Sequence, residues 1–258
     1  MSRDSNIVVI VAHPGDETLG CGRFLLRDPG RVRILHIADG ITRDEKVLRR
    51  SGAKSAADFV RIRHEELLAA MAVFGVAEDQ IFSGGIAERE VLKNLSQAVD
   101  SILRLLRLER PQEVYTHPFE GGHPDFDAVC FAVHRAVDLL EEQGEVRPAI
   151  QEFTGYHSRE GLFHGAEFLT TYPMAQIAIL DEDERERKEK ALRCFRSQYD
   201  LYVRFAIREE RWRRAERYDF GSRPHEGPLY YEVSRSGFSW TDFENFVAAI
   251  KAEAENRE

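Results

Sequence analysis

Ile7-Val8-Val9-Ile10-Val11-Ala12-His13-Pro14-Gly15-Asp16-Glu17 is the stretch whose reading decides the fold. Its first six residues are apolar, mostly β-branched, and show no polar alternation. Continuous apolarity predicts a strand buried on both faces, as in a parallel sheet. The chain turns polar at once afterwards, so a loop over 13–18 should lead into a helix over 19–27. Residues 32–38 repeat the strand pattern. Residues 39–55 are polar and rich in Lys and Arg, which reads as an exposed loop. Helical periodicity over 56–74 stops at Gly75. A short strand over 80–82 follows, then an amphipathic helix over 91–108 ended by Pro111. A strand over 113–116 and a helix over 124–142 flank a loop containing Gly121-Gly122. This alternation predicts an α/β protein with a Rossmann-like parallel sheet flanked by helices. Such sheets bind ligands at the carboxyl ends of their strands. His13 follows the first strand and the 117–127 loop follows the fourth, so the fold itself should bring them together.

The last hundred residues are less regular. They offer strands over 150–156 and 175–180, a charged helix over 181–196, an arginine-rich helix over 201–217 and a final helix over 240–255. No repeat or low-complexity linker interrupts the chain. A single domain over 1–258 is expected, with a core at about 6–160 and a C-terminal extension over 161–258 packed on it. Arg204, Arg208, Arg211, Arg213, Arg214 and Arg217 alternate with Glu209, Glu210 and Glu216. The expectation is a solvated, salt-bridged face, with an anion-binding or oligomer-contact surface as the alternative. Phe238, Trp240, Phe243 and Phe246 read as packing residues or as part of a homo-oligomer interface.

The 258 residues carry a formal net charge of −9, which argues against a nucleic-acid partner. The three cysteines form no CxxC pair and read as reduced thiols of a cytoplasmic protein. The first apolar run is too short for a signal peptide or a membrane helix, so no membrane association is expected.

Two loops carry the chemistry. His13 and Asp16, three positions apart after a buried strand, can converge in a tight turn, and a neutral imidazole with a carboxylate suits Zn²⁺. The second loop, Thr116-His117-Pro118-Phe119-Glu120-Gly121-Gly122-His123-Pro124-Asp125-Phe126-Asp127, packs histidines and acids around a diglycine. Pro124 suits the first turn of a helix, which places His123 at its positive end with Asp125 near enough to orient the imidazole. Competing readings are weaker. Gly20-Cys21-Gly22 lacks the full dinucleotide pattern, and no Gly-x-Ser-x-Gly occurs. Cys21 and Cys130 read as buried small hydrophobes. His36 and His157 read equally well as crevice or packed residues.

Residues 7–22 resemble the signature of the LmbE-like (PIG-L) N-deacetylases, a strand followed by Ala-His-Pro-Asp-Asp-Glu and a glycine-containing helix start. Residues 121–127 resemble the second motif of that family, Gly-His-Pro-Asp-His. Arg63-His64-Glu65-Glu66, with Ala70 and Gly75, resembles its Arg-x-x-Glu helix. The resemblance implies an LmbE-like fold and zinc-dependent hydrolysis of a linear amide, the N-acetyl group of a small N-acetylglucosamine-type compound. It implies zinc ligation by His13 and Asp16, oxyanion stabilisation by His123, orientation of that imidazole by Asp125, and a substrate contact from Arg63. Glu17 matches the last residue of the first motif.

Two positions depart from the pattern. Gly15 stands where the family has its general base, an Asp, and Phe126 where it has its third zinc ligand, a His. Asp127 is the expected replacement ligand, although adjacent helical residues point about 100° apart, so a shifted loop is required. His117, Glu120 and His123 are the alternatives, as ligand or as base. The first reading is therefore a zinc-dependent deacetylase with a rebuilt site. The alternatives are a member that has lost catalysis and binds or scaffolds, or a hydrolase with an altered pocket. If only the two substitutions matter, Gly15→Asp with Phe126→His should restore activity.

Overall fold

The structure, a computed structural model, describes residues 7–40, 48, 51–198, 202–205, 207–234 and 236–255. Strand β1 (Ile7–Val11) pairs in parallel with β2 (Val32–Ala38) on one side and β4 (Glu113–Thr116) on the other. Outside them lie β3 (Ile81–Ile86) and β5 (Ala149–Phe153), also parallel. Val8, Val9, Ile10 and Val11 are all fully buried. Val8 and Ile10 pack with helices α3 (Leu95–Glu109) and α4 (Pro124–Glu142) on one face. Val9 and Val11 pack with α1 (Asp16–Arg27) and α2 (Ala56–Phe74) on the other. Both faces are covered, which is why the run shows no alternation. Ser55 caps α2 by accepting the Asp58 amide, and Gly75 ends it at φ 83°.

Among the described residues the sheet order is β3-β2-β1-β4-β5-β9-β8, where β8 is Gln176–Ile179 and β9 is Glu209–Arg214. The order reverses between β1 and β4, the switch point at which such sheets open a crevice. The Rossmann-like expectation holds, and the C-terminal strands extend the same sheet. They do so antiparallel, β9 against both β5 and β8.

The later elements bring corrections. The strand expected over 150–156 breaks at Thr154-Gly155, and a hairpin of β6 (Tyr156–Arg159) and β7 (Leu162–Gly165) follows. The arginine-rich segment is no helix where described near its centre; it forms β9. Its charges are not all solvated either. Arg213 is buried and pairs with Glu152 at 2.6 Å. Glu210 is buried and pairs at 2.6 Å with Lys188 of α5 (Glu182–Cys194). Partnered burial of both charges outweighs the helical preference of Glu and Arg. The aromatic cluster near the C-terminus packs inward. Phe243 and Trp240 of α6 (Trp240–Glu255) are buried, with Phe243 5.2 Å from Phe119. Most of the expected exposed loop, residues 41–47 and 49–50, lies outside the described residues. Among the described residues, no helix is long and apolar enough to cross a membrane.

The Lys188–Glu210 pair joins the C-terminal elements to α1, because Lys188 also donates to the Leu19 carbonyl at 2.6 Å and Glu210 accepts the Arg23 amide at 3.1 Å. Lys188→Met leaves Glu210 buried without its cation and should cost about 3–5 kcal/mol of stability. Chemical denaturation should show this loss, and a change below about 1 kcal/mol would show that the pair does not anchor the extension.

Candidate active site

The loop after β1 is fixed from several sides. The Asp16 carboxylate accepts the His13 amide at 2.8 Å, closing the turn on itself. The Pro14 carbonyl accepts from Arg63 Nη2 at 2.9 Å and from Tyr202 Oη at 3.1 Å. Glu17 is fully buried, accepts the Gly15 amide at 2.8 Å and pairs with His36 Nε2 at 2.9 Å. His36 is thus a packed histidine that supports the loop. Helix α1 starts at Asp16, earlier than its apolar pattern suggests, so Asp16 and Glu17 occupy its first turn at the positive end.

The loop after β4 meets it directly, since the Ala12 amide donates to His117 Nε2 at 3.0 Å. His123 caps α4, its Nδ1 accepting the Asp125 amide at 3.1 Å. The backbone at Gly122 lies so close to the chain that an added Cβ would sit 1.8 Å from the Tyr156 carbonyl oxygen. That close approach explains the diglycine.

His13 is the meeting point. Its Nε2 donates to Asp125 Oδ2 at 2.9 Å, and its Nδ1 lies 3.6 Å from Asp16 Oδ2. The His123 ring stands edge-on to it with centroids 4.9 Å apart. The same Asp125 oxygen accepts the Arg89 amide at 2.7 Å. Burial works against a charge on His13, but the bond to Asp125 and the charges of Asp125, Asp16 and Glu88 outweigh it and raise its pKa to about 9. Burial, reinforced by the charge on His13, pushes His123 down to about 3. His123 is therefore neutral, and because Nδ1 accepts a hydrogen bond its proton resides on Nε2. Asp125 is held below the usual carboxylate range; its burial is outweighed chiefly by the bond from His13.

His13, Asp16, His123 and Asp125 come together as expected, with one change of role. Asp125 bonds His13, while its carboxylate stays 4.0 Å from His123 Nδ1. Asp127 goes elsewhere: its Oδ1 accepts the Gly121 and Glu120 amides at 3.1 and 3.3 Å. The loop did not shift to offer this carboxylate to His13, and the helix start directs it into the 120–121 turn. Arg63 is buried against the back of the first loop, bonded to Pro14. Glu120 accepts the Leu169 amide at 2.6 Å and lies 3.6 Å from the buried His157. Phe126 stacks on His117 with centroids 4.1 Å apart and planes 7° apart.

Two residues escaped the sequence reading. Glu88 joins His13 and His123 in a trio whose donor atoms all lie within 4.8 Å of one another. Its signal was its position just past β3, at the carboxyl edge of the sheet. Tyr202 fills the space beside Gly15. A Cβ at Gly15 would lie 1.8 Å from the Tyr202 hydroxyl, and Gly15 has φ 109°. Nothing in the sequence around Tyr202 signals this contact.

The donors suit a metal. A metal-bound histidine commonly gives its other N–H to a carboxylate, as His13 does to Asp125. The 3.6 Å from His13 Nδ1 to Asp16 Oδ2 is near the spacing of two ligands on one zinc with bonds of about 2.0–2.2 Å. Beside them, Asp16, His117, Phe126, Phe153, Tyr156 and Phe205 line a cavity of ≈ 10 Å³. That is about the space of one water. His13 and His123 keep 13% and 15% side-chain exposure, so both rings retain an edge open to solvent.

Comparison with known proteins follows the same lines. The sequence profile of a family described as GlcNAc-PI de-N-acetylase (PIG-L) matches residues 8–137. No curated protein matches the chain at a significant level. Among solved structures, teicoplanin deacetylase Orf2 in a zinc-inhibited form aligns over 83% of this chain and 100% of its own, with 16% identity and a TM-score of 0.61. The A40926 pseudoaglycone deacetylase Dbv21 aligns over the same shares with 19% identity and a TM-score of 0.62. GalB, the 4-carboxy-2-hydroxymuconate hydratase of Pseudomonas putida KT2440, aligns over 83% of this chain and 97% of its own, with 15% identity and a TM-score of 0.55. At these identities the likeness is one of fold.

The Tyr202 contact changes what a simple reversion can achieve. Gly15→Asp alone should lower the melting temperature, because the new side chain meets Tyr202 and a left-handed backbone. Adding Tyr202→Ala should recover part of that loss; equal melting temperatures for the single and double variants would refute the clash. Asp127 gives a pH prediction. Burial and the Glu120 charge outweigh the two amide bonds and raise it to about 8. A carboxyl raised on folding stabilises fully below its unfolded value, about 3.9, and that contribution is lost as pH rises toward 8. Asp127→Asn should flatten the fall in melting temperature between pH 4 and 8. An unchanged profile would show that Asp127 is ionised in the folded protein.

Proposed function

This chain belongs to the GlcNAc-PI de-N-acetylase (PIG-L) family, and from that premise we propose that it is a zinc-dependent N-deacetylase of a small amino-sugar compound. The carrying observation is His13, held by Asp125 through Nε2 with Nδ1 turned toward Asp16, beside a neutral His123. His13 and Asp16 would hold Zn²⁺. When bound, the ion would supply Lewis acidity and a water whose pKa falls to about 7.

The chain's own residues do the rest. His123 donates its Nε2–H to the oxygen of the amide carbonyl as negative charge develops there. Burial, the main cause of its depressed pKa, favours this neutral donor form. Asp125 fixes the His13 ring, and Arg63 and Tyr202 brace the loop through the Pro14 carbonyl. The Tyr202 phenol, kept protonated by burial, fills the space beside Gly15 where a carboxylate would stand. Turnover should therefore be lower, by roughly 10²–10⁴-fold, than with a carboxylate base at that position. The deacetylases among the structural neighbours support the main reading. The filled base position favours one second reading, a pocket rebuilt for another reaction or for binding alone; the hydratase GalB shares the fold.

Acetate release from N-acetylglucosamine and its glycosides by the zinc-loaded protein tests the proposal. His13→Ala should abolish turnover, and His123→Ala should lower kcat by about 10²–10³-fold. A zinc-loaded protein that releases no acetate from any of these compounds would leave the second reading.

A further inference from the structure

The position of the missing third ligand is closed. Phe126 stacks on His117. Asp127 is engaged by the Glu120 and Gly121 amides. Glu120 is engaged by the Leu169 amide and faces His157. His117 Nε2 accepts the Ala12 amide. His123 uses Nδ1 to accept the Asp125 amide, so its remaining nitrogen bears the proton that the reaction needs as a donor. Each of these groups has one polar atom engaged; His117 Nδ1, Glu120 Oε2 and Asp127 Oδ2 have no hydrogen-bond partner, but among the described residues none of the three joins the group formed by His13, Glu88 and His123.

Glu88 belongs to that group. It sits in the turn after β3, at the same edge of the sheet as His13 and His123. It is half-buried and makes no hydrogen bond to any described residue. The turn is held in an unusual conformation, with Arg89 at φ 65°. Non-glycine residues rarely adopt that backbone, and they keep it where surrounding contacts enforce it. Here the enforcing contact is the Arg89 amide on Asp125 Oδ2, the oxygen that also receives His13 Nε2. One carboxylate oxygen therefore sets both the His13 ring and the turn that carries Glu88.

We infer that Glu88 is the third metal-holding side chain of this site, standing in for the ligand lost at Phe126. The inference rests on the metal-dependent reading above. Its donor set is one imidazole and two carboxylates, from His13, Asp16 and Glu88, which suits zinc. Tetrahedral bonds of about 2.0–2.2 Å put ligand atoms about 3.3–3.6 Å apart. Asp16 Oδ2 lies 3.6 Å from His13 Nδ1, and the Glu88 donor atom lies within 4.8 Å of those of His13 and His123, so the two carboxylates meet at His13 and the set needs a turn about the Glu88 side-chain bonds to close.

The test is zinc content and zinc affinity of the purified full chain, by elemental analysis and chelator competition, for the parent, Asp16→Asn and Glu88→Gln. Circular dichroism and melting temperature establish that each variant is folded. The parent should hold one zinc. Glu88→Gln should bind it more than roughly 100-fold more weakly, beyond the loss expected for a residue that only orients a ligand. Glu88→Cys loaded with Co²⁺ should show a thiolate-to-cobalt charge-transfer band that the parent lacks. Parent-like zinc affinity in Glu88→Gln, with Asp16→Asn impaired, would overturn the inference and leave the metal-dependent reading standing. Lowered turnover with zinc retained would do the same and make Glu88 a proton acceptor. A parent that binds no zinc would overturn both.

Discussion

Oδ2 of Asp125 accepts two hydrogen bonds, one from the His13 ring and one from the Arg89 backbone, and it does so with no exposure to solvent. Those bonds link the carboxyl ends of β1, β3 and β4. A buried carboxylate is costly unless its lone pairs are satisfied and a positive charge faces it. His13 supplies the charge and, with the Arg89 amide, the bonds to Oδ2, whereas Oδ1 is buried without a hydrogen-bond partner. The arrangement determines much of what surrounds it: a His13 pKa raised to about 9, a His123 pKa lowered to about 3 beside it, and a strained turn that places Glu88 at the site. Metal ligation needs the His13 nitrogen unprotonated, whereas its partnership with Asp125 favours the protonated ring, so metal binding there would release a proton.

The two departures from the family pattern have different physical meanings. Phe126 removes a ligand without disturbing the loop, because its ring finds a stacking partner in His117. Gly15 is compensated sterically. Tyr202 comes in from a distant part of the chain, fills the space and bonds the neighbouring Pro14 carbonyl. The first change closes the old ligand position, so a replacement donor must come from elsewhere at the same sheet edge. The second is closed by packing, and reversing it requires changing both partners.

The core of the fold was legible because its signals are local. The continuous run from Ile7 admits one environment, a strand covered on both faces, and the strand–helix alternation then sets the topology. The convergence of His13 with the 117–127 loop followed from that topology alone. The Asp125 role was half legible: sequence proximity suggested His123 as its partner, whereas the sheet order brings His13 nearer to the carboxylate. Asp127 shows the limit. Its identity suits zinc, but the direction of a side chain at a helix start depends on the turn before it, and here that turn offers two amides. Segment 209–214 failed for another reason. Glu and Arg favour helices in isolation, and only the distant Lys188 and Glu152 make them strand residues.

The central claim is that the chain holds one zinc through His13 with carboxylates completing the set, while His123 stays free as a donor. X-ray absorption at the zinc edge of the loaded protein reads the ligand atoms directly. The account predicts a four-coordinate ion with a single imidazole and otherwise oxygen ligands. Scattering from two or more imidazoles would contradict it.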